Sequence, residues 1–304
     1  YMPIFEEALD AYGLPLELRY LPIIESALNP SAVSRAGASG LWQFMIGTGK
    51  IYGLESNSLV DERRDPIKAT WAAARYLKEM YDIYGDWNLV IAAYNCGPGT
   101  INKAIRRANG ETDYWKIYNY LPKETRGYVP AFIAANYVMT YYCDHNICPM
   151  ETNIPASTDT VQVNKNLHFE QIADLCNVPL DQIKSLNPQY KKQMIPGDSK
   201  PYTLRLPIDA ISTFIDKQDT IYAHRADELF RNRKTVAVKE ITPSTRKTTT
   251  AVAGKGKLTY YTIKSGDTLS TIAGKYGVTI KDIQRWNGMS NTKIAAGKRL
   301  KIYK

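Results

Sequence analysis

The 304-residue sequence predicts a multidomain α+β protein, mainly α-helical in its first half and followed by small βααβ modules. Three observations carry that expectation. Apolar residues recur at helical spacing through the first 150 positions, and a near-repeat at an offset of 100 positions relates residues 163–204 to 263–300. Residues 231–257 hold eight Lys/Arg against Glu240 and few large apolar side chains, the composition of a flexible basic linker. The boundaries that follow are 1–150 for the helical domain, 158–207 for a first module, 208–230 for a helical extension, 231–257 for the linker and 258–304 for a second module.

The helical domain is read from its amino end. Leu14, Leu18, Leu21, Glu25 and Leu28 alternate spacings of four and three, which places them on one helical stripe and turns Glu25 toward the core. A carboxylate there either finds strong partners, as an ion pair or cap within a helical core, or loses water and rises in pKa toward the range of a general acid. Asn29-Pro30 is read as the helix stop. The small polar run Ser34-Arg35-Ala36-Gly37-Ala38-Ser39-Gly40 allows a backbone to approach a ligand, and Gln43 follows among Leu41, Trp42, Phe44 and Met45. An acid, a glycine-rich turn and an amide beside aromatics point to a sugar site.

Asp65-Pro66 opens the next helix, with Ile67, Thr70/Trp71, Ala74, Leu77, Tyr81 and Tyr84 on one face and Gly85 at its end. Asp86 caps a further helix that runs through Leu89, Val90 and Ala93 to Tyr94-Asn95 and breaks at Gly97-Pro98-Gly99. Tyr94 is thereby placed beside a glycine turn, either as a cleft wall or packed on the core with its hydroxyl bonded locally. Asp61, Glu62 and Asp65 precede a helix start, which favours capping or surface roles for them.

Charge is unevenly spread. Residues 231–257 and 258–304 each carry +7, which leaves −5 for residues 1–230 out of a total of +9. The basic tail has no recognition helix or basic-aromatic platform, so nucleic acid is not expected as a partner; an anionic polymer such as cell wall, or plain solubility, accounts for it. No apolar run is long enough to span a bilayer and no signal-peptide pattern opens the sequence, so membrane association is expected only through a segment outside this chain. Cys143 and Cys148 flank four residues, a spacing that permits a local disulfide in an oxidising compartment. Cys96 and Cys176 read as small buried residues. With His145 alone nearby, and His168 and His224 far along the chain, no metal and no cofactor are expected.

In the repeat, Val163, Phe169, Ile172-Ala173, Val178, Ile183, Asn187 and Gly197 fall on Ile263, Leu269, Ile272-Ala273, Val278, Ile283, Asn287 and Gly297. Leu204 matches Leu300 after a four-residue insertion. Residues 207–230 read as one amphipathic helix with Ile211, Phe214, Ile215, Ile221 and Leu229 as candidate contacts.

ESALNPSAVSRAGASGLWQFM at 25–45 resembles the first two motifs of the lytic transglycosylases, with their soluble-transglycosylase, goose-lysozyme-like fold. AAYNCGPG at 92–99 and ETRGYVPAFIAANYV at 124–138 resemble the third and fourth. The second module resembles a LysM domain. The resemblance implies a lysozyme-like catalytic domain that cleaves the β-1,4 bond between N-acetylmuramic acid and N-acetylglucosamine in peptidoglycan without water, with Glu25 as the single acid/base and a 1,6-anhydro product. It implies Ser34 and Gln43 as substrate contacts, Tyr94 and Asn95 as residues that contact sugar or orient Glu25, and Tyr128 as the hydrogen-bond donor that holds Glu25, with Trp42 and Met45 as weaker candidates.

For the LysM module it implies a shallow glycan groove that includes Gly266, Asp267, Thr268, Leu269, Asn291 and Ile294, with Asp267-Thr268 capping a helix. In the first module the corresponding loop becomes Lys165-Asn166-Leu167-His168-Phe169, which loses the glycine and the capping pair. A degenerate LysM-like module docked on the helical domain is expected there. The partners implied are peptidoglycan glycan strands, the protein a monomer, and the location the periplasm or cell envelope with outer-membrane anchoring. Two other readings stay open: a hydrolase on the same fold, which would need a second carboxylate or a positioned water, and a non-catalytic wall-binding scaffold.

Overall fold

The computed structural model describes residues 1–148, 154–155, 157–230, 258–264, 267–289, 294 and 297–303. The linker reading for 231–257 lies outside them. Two compact units divide the chain, Tyr1–Glu240 and Ile241–Lys304.

The first unit opens with eight α-helices, α1 (Met2–Ala11), α2 (Leu21–Ser26), α3 (Ile46–Ile51), α4 (Pro66–Tyr84), α5 (Trp87–Cys96), α6 (Pro98–Arg107), α7 (Tyr114–Ile117) and α8 (Lys123–Thr140). One core joins them, built on Phe5, Leu9, Leu18, Leu21, Trp42, Leu77, Leu89 and Ile101. Local chemistry sets the ends of α4. Asp65 Oδ1 accepts from the amides of Ile67 and Lys68 at 2.9 and 3.0 Å, and Gly85 takes φ +63° at the far end. In α8, Pro130 cannot donate to the carbonyl of Arg126, and the Tyr114 hydroxyl donates to that oxygen instead at 3.0 Å.

The stripe through Glu25 differs from the expected single helix. Leu16–Tyr20 is a 3₁₀ turn, and α2 stops at Ser26 rather than at Asn29-Pro30, because Ala27 and Leu28 take left-handed φ of +50° and +60°. The Ser26 hydroxyl, which donates to the carbonyl oxygens of Pro22 (3.0 Å) and Leu41 (2.9 Å), ties this early turn to the loop beyond. Leu14, Leu18 and Leu21 are buried all the same.

The same unit continues into the first module. Strands β1 (Thr158–Val163), β2 (Asn166–His168), β3 (Met194–Pro196) and β4 (Tyr202–Pro207) form two antiparallel pairs, β1 with β4 and β2 with β3, around α9 (Phe169–Cys176) and α10 (Leu180–Leu186). The helix α9 keeps a capping box although the expected pair is gone: the amide of Glu170 donates to His168 Nδ1 at 3.3 Å, and the His168 amide donates to Gln171 Oε1 at 2.8 Å. The extension is three short helices, α11 (Ile208–Asp216), α12 (Gln218–Ala223) and α13 (Ala226–Leu229), not one. Phe214 and Ile221 are buried as expected, but Ile215 is 58% exposed.

In the second unit, β5 (Leu258–Thr262) pairs antiparallel with β6 (Arg299–Tyr303), with α14 (Leu269–Tyr276) and α15 (Ile280–Asn287) between them. The repeat reaches individual hydrogen bonds. Asn187 Nδ2 donates to the carbonyls of Ile183 (2.9 Å) and Arg205 (2.8 Å), and its Oδ1 accepts from the Arg205 amide. Asn287 repeats all three with Ile283 and Lys301. In both copies one asparagine, buried in the first and half-buried in the second, fastens the second helix to the last strand.

Candidate functional site

Glu25 sits in the last turn of α2, half-buried, facing α8 across the core. Its Oε1 accepts from the hydroxyl of Tyr128, 103 positions along the chain. Burial is the largest influence on the carboxyl and pushes its pKa up to about 7; the Tyr128 hydrogen bond opposes this and the charge of Glu124 adds to it. The group is therefore balanced between its protonated and ionised forms at neutral pH. Burial and the Glu25 charge raise the phenols of Tyr94 and Tyr128, so both stay protonated donors.

The loop after α2 forms the next wall. Ser34 Oγ accepts from the Ala38 amide at 3.1 Å while the Ser34 amide donates to the Ala38 carbonyl at 2.9 Å, which closes a tight turn and leaves the exposed serine hydroxyl free to donate outward. Gln43 takes φ +48°, unusual for a side chain of its size. It holds that conformation by donating through Nε2 to the carbonyls of Gly40 (2.8 Å) and Ala32 (3.3 Å). Gly40 itself is required: at φ +90° an added Cβ would lie 1.7 Å from the Arg63 carbonyl oxygen.

Gln43, Met45, Tyr76, Tyr94, Asn95 and Cys96 line a cleft of about 300 Å³. Tyr94 links it to the acid, since its ring lines the cleft, it feels the charge of Glu25, and its hydroxyl donates to the Trp42 carbonyl at 2.7 Å. Asn95 Oδ1 accepts from the Thr125 hydroxyl at 2.8 Å and so joins α5 to α8. Trp42, a weaker sequence candidate, is fully buried against Phe5 with its indole N–H on Thr70, and only its carbonyl serves the site. Cys96 is corrected from core to half-buried cleft wall. Tyr76 was not among the sequence candidates; as a tyrosine within a helical face it looks like core.

Of the other acids, Asp65 caps α4 as expected, but Asp61 and Glu62 are buried rather than superficial. Asp61 accepts a bidentate pair from Arg63 Nε and Nη2 at 2.8 Å each, with Lys191 Nζ 3.6 Å away. Burial pushes its pKa upward, and the Arg63 hydrogen bonds with the charges of Arg63, Lys191 and Arg64 outweigh that and hold it below the ordinary value. Glu62 accepts from Lys68 and from the Glu55 amide. Neither is poised as a second acid beside Glu25.

In the second unit Asp267 accepts from the Tyr261 hydroxyl and the Lys264 amide, both at 2.8 Å, and does not cap α14; Thr268 alone does, with Thr271. Leu269, at 2% exposure, is a core residue and is corrected from the groove. Ile294 packs half-buried against that core. Gly266 and Asn291 lie outside the described residues. Cys143 and Cys148 are both free and exposed. Among the described residues no group of three or more His, Cys, Asp or Glu is placed to hold a metal, and no helix is long and apolar enough to cross a membrane. A second cavity of about 270 Å³, between α4 and the first module, shares no residue with this site.

Residues 2–117 match the transglycosylase SLT domain family, residues 157–223 the LysM-like domain of lytic transglycosylase MltD, and residues 261–302 the LysM domain. The membrane-bound lytic murein transglycosylase D of Escherichia coli (strain K12) is 33% identical over 296 residues, covering 95% of this chain and 60% of that protein. The chain thus spans about three fifths of the length of that relative. The soluble lytic murein transglycosylase of the same organism is 33% identical over 124 residues, 39% of this chain and 19% of that protein. Among solved structures, the 70 kDa soluble lytic transglycosylase Slt70 from Escherichia coli has a TM-score of 0.41 and 29% identity, over 47% of this chain and 24% of that one.

Proposed function

We propose that this protein is a peptidoglycan lytic transglycosylase of the cell envelope, a reading supported by the match of residues 2–117 to the transglycosylase SLT domain family and of residues 157–223 and 261–302 to LysM-type domains. The observation that supports the reading best is Glu25: a desolvated carboxyl with pKa near 7 whose hydrogen-bond partner is the phenol of Tyr128.

The chemistry follows from that proton. Protonated Glu25 gives it to the glycosidic oxygen between N-acetylmuramic acid and N-acetylglucosamine as the C1–O bond breaks, and the N-acetylglucosamine side leaves as an alcohol. The carboxylate left behind accepts the proton of the muramoyl C6 hydroxyl while that oxygen bonds to C1. Glu25 ends protonated, no water is consumed and the product is a 1,6-anhydro ring. Tyr128 holds the carboxylate through both transfers. Ser34, Gln43, Tyr94 and Asn95 hold the sugar, and a single carboxylate suffices where ordinary hydrolysis uses two. The second LysM module, through Asp267 and Thr268, keeps wall polymer near the cleft by raising its effective concentration.

Mass spectrometry of fragments released from purified peptidoglycan tests this. Anhydro-terminated fragments from the parent and none from Glu25→Gln are expected. Reducing-end fragments would replace the reading with hydrolysis, and no release from the parent would leave a binding scaffold.

A further inference from the structure

The first module grips the helical domain through a hairpin, residues 55–62, whose tip it swallows. Leu59 and Val60 are buried within the module's own core. Residues 59–61 run antiparallel to 189–191, with the Lys191 amide donating to the Leu59 carbonyl and the Asp61 amide to the Gln189 carbonyl, both at 2.8 Å. Lys191 Nζ then donates to the Asn57 carbonyl at 2.7 Å and faces Asp61.

At the base of the hairpin the contact passes to the cleft. Arg63, 5% exposed, spends Nε and Nη2 on Asp61 and turns Nη1 to the carbonyls of Gly37 (2.8 Å) and Phe44 (2.9 Å). Those two oxygens bracket the loop that carries Gln43 and closes on Ser34. Arg64 Nε adds a bond to the buried Ser39 hydroxyl at 3.1 Å, and the Gly40 backbone rests directly on the Arg63 carbonyl. The loop has no helix or sheet of its own beyond single bridges at Val33–Ser39 and Ser39–Phe44. A planar guanidinium fixed from behind by a bidentate carboxylate is a stiff anchor for such a segment.

We propose that the 55–63 hairpin is a strut through which the first module fixes the substrate loop, which makes Lys191, Asp61 and Arg63 positioning residues of the cleft. The module's place in the protein is then mechanical: it braces from behind the loop that walls the active site, and its lost glycan loop is no loss. The kinetic part of this rests on the function proposed above, because small misplacements of substrate-holding groups slow a reaction without touching its acid.

The test uses the full chain with Asp61→Asn and Lys191→Met, neither in the loop. By hydrogen–deuterium exchange, amides of residues 34–44 are expected to exchange at least tenfold faster in Asp61→Asn and at least threefold faster in Lys191→Met, with α5 unchanged. In turnover of peptidoglycan, KM rises at least fivefold, kcat stays within twofold, and the pH limb set by Glu25 does not move. Should a single variant fail to fold, Asp61→Leu, Arg63→Met and Lys191→Met together remove the carboxylate and both cations that face it, and the triple variant is expected to show the same loop exchange and KM changes. Folded variants with parental loop exchange overturn the strut. If the parent releases no fragments, the function fails while the exchange measurement still decides the strut.

Discussion

Glu25 and Asp61 are two carboxyl groups withdrawn from water in the same helical region, and they differ in what replaces the water. Asp61 receives a guanidinium and lies near an ammonium, so its charge is matched and its pKa falls. Glu25 receives one neutral phenol and the repulsion of Glu124, so its pKa climbs to about 7. Burial alone assigns neither a role. The charge of the partner separates a carboxyl that can release and retake a proton from one that holds a loop in place.

Exchanging the acid breaks the comparison most severely. Glu25→Gln is expected to lower fragment release by about 10³-fold or more, the scale of a lost general acid. The same change should stabilise the fold. Because folded Glu25 binds its proton more tightly than the unfolded chain does, ionising it costs nothing below pH 4.5 and up to about 3 kcal/mol above pH 7. The stability gained by Glu25→Gln should therefore grow from pH 4.5 to 7, which denaturant titrations across that range would read. Asp61 has the opposite sign. Its contribution is in place above the ordinary value of 3.8 and is lost as acid protonates it. Asp61→Ala, which leaves Arg63 buried without its counter-ion, is expected to cost about 3–5 kcal/mol at pH 7 in the same titrations.

Changing the partner instead of the acid sharpens the contrast. Tyr128→Phe removes the one hydrogen bond that lowers the Glu25 pKa, so the basic limb of the pH–rate profile should move upward and the rate should fall about tenfold or more. Glu124→Gln gives the smallest effect and the reverse direction. With a like charge gone, the limb should move downward by less than about one pH unit, as befits an exposed group.

What the sequence made legible follows from the range of the interactions. Asp65-Pro66 and Gly85 bound α4 through contacts within a turn, so residue type alone marks them. The 100-residue offset exposed two copies of one module because Asn187 and Asn287 must make the same three bonds. Glu25 stood out as an acid on an apolar stripe, although that stripe crosses a 3₁₀ turn and leaves the helix at Ala27. Its pairing with Tyr128 spans 103 positions and could be anticipated only from the resemblance. Arg63 left no signal because the partners it turns toward the cleft are backbone carbonyls, which any residue supplies. His168 was passed over because histidine is an uncommon cap, and Leu269 was misplaced because a loop position does not reveal which way its side chain packs.

Titration of the Glu25 side-chain carboxyl by ¹³C NMR, assigned by comparison with Glu25→Gln, tests the central claim most directly. The account predicts a midpoint near pH 7 that rises further in Tyr128→Phe. A midpoint at or below 4.5 would mean that the carboxyl is ionised and paired like Asp61, and would contradict its role as the proton donor.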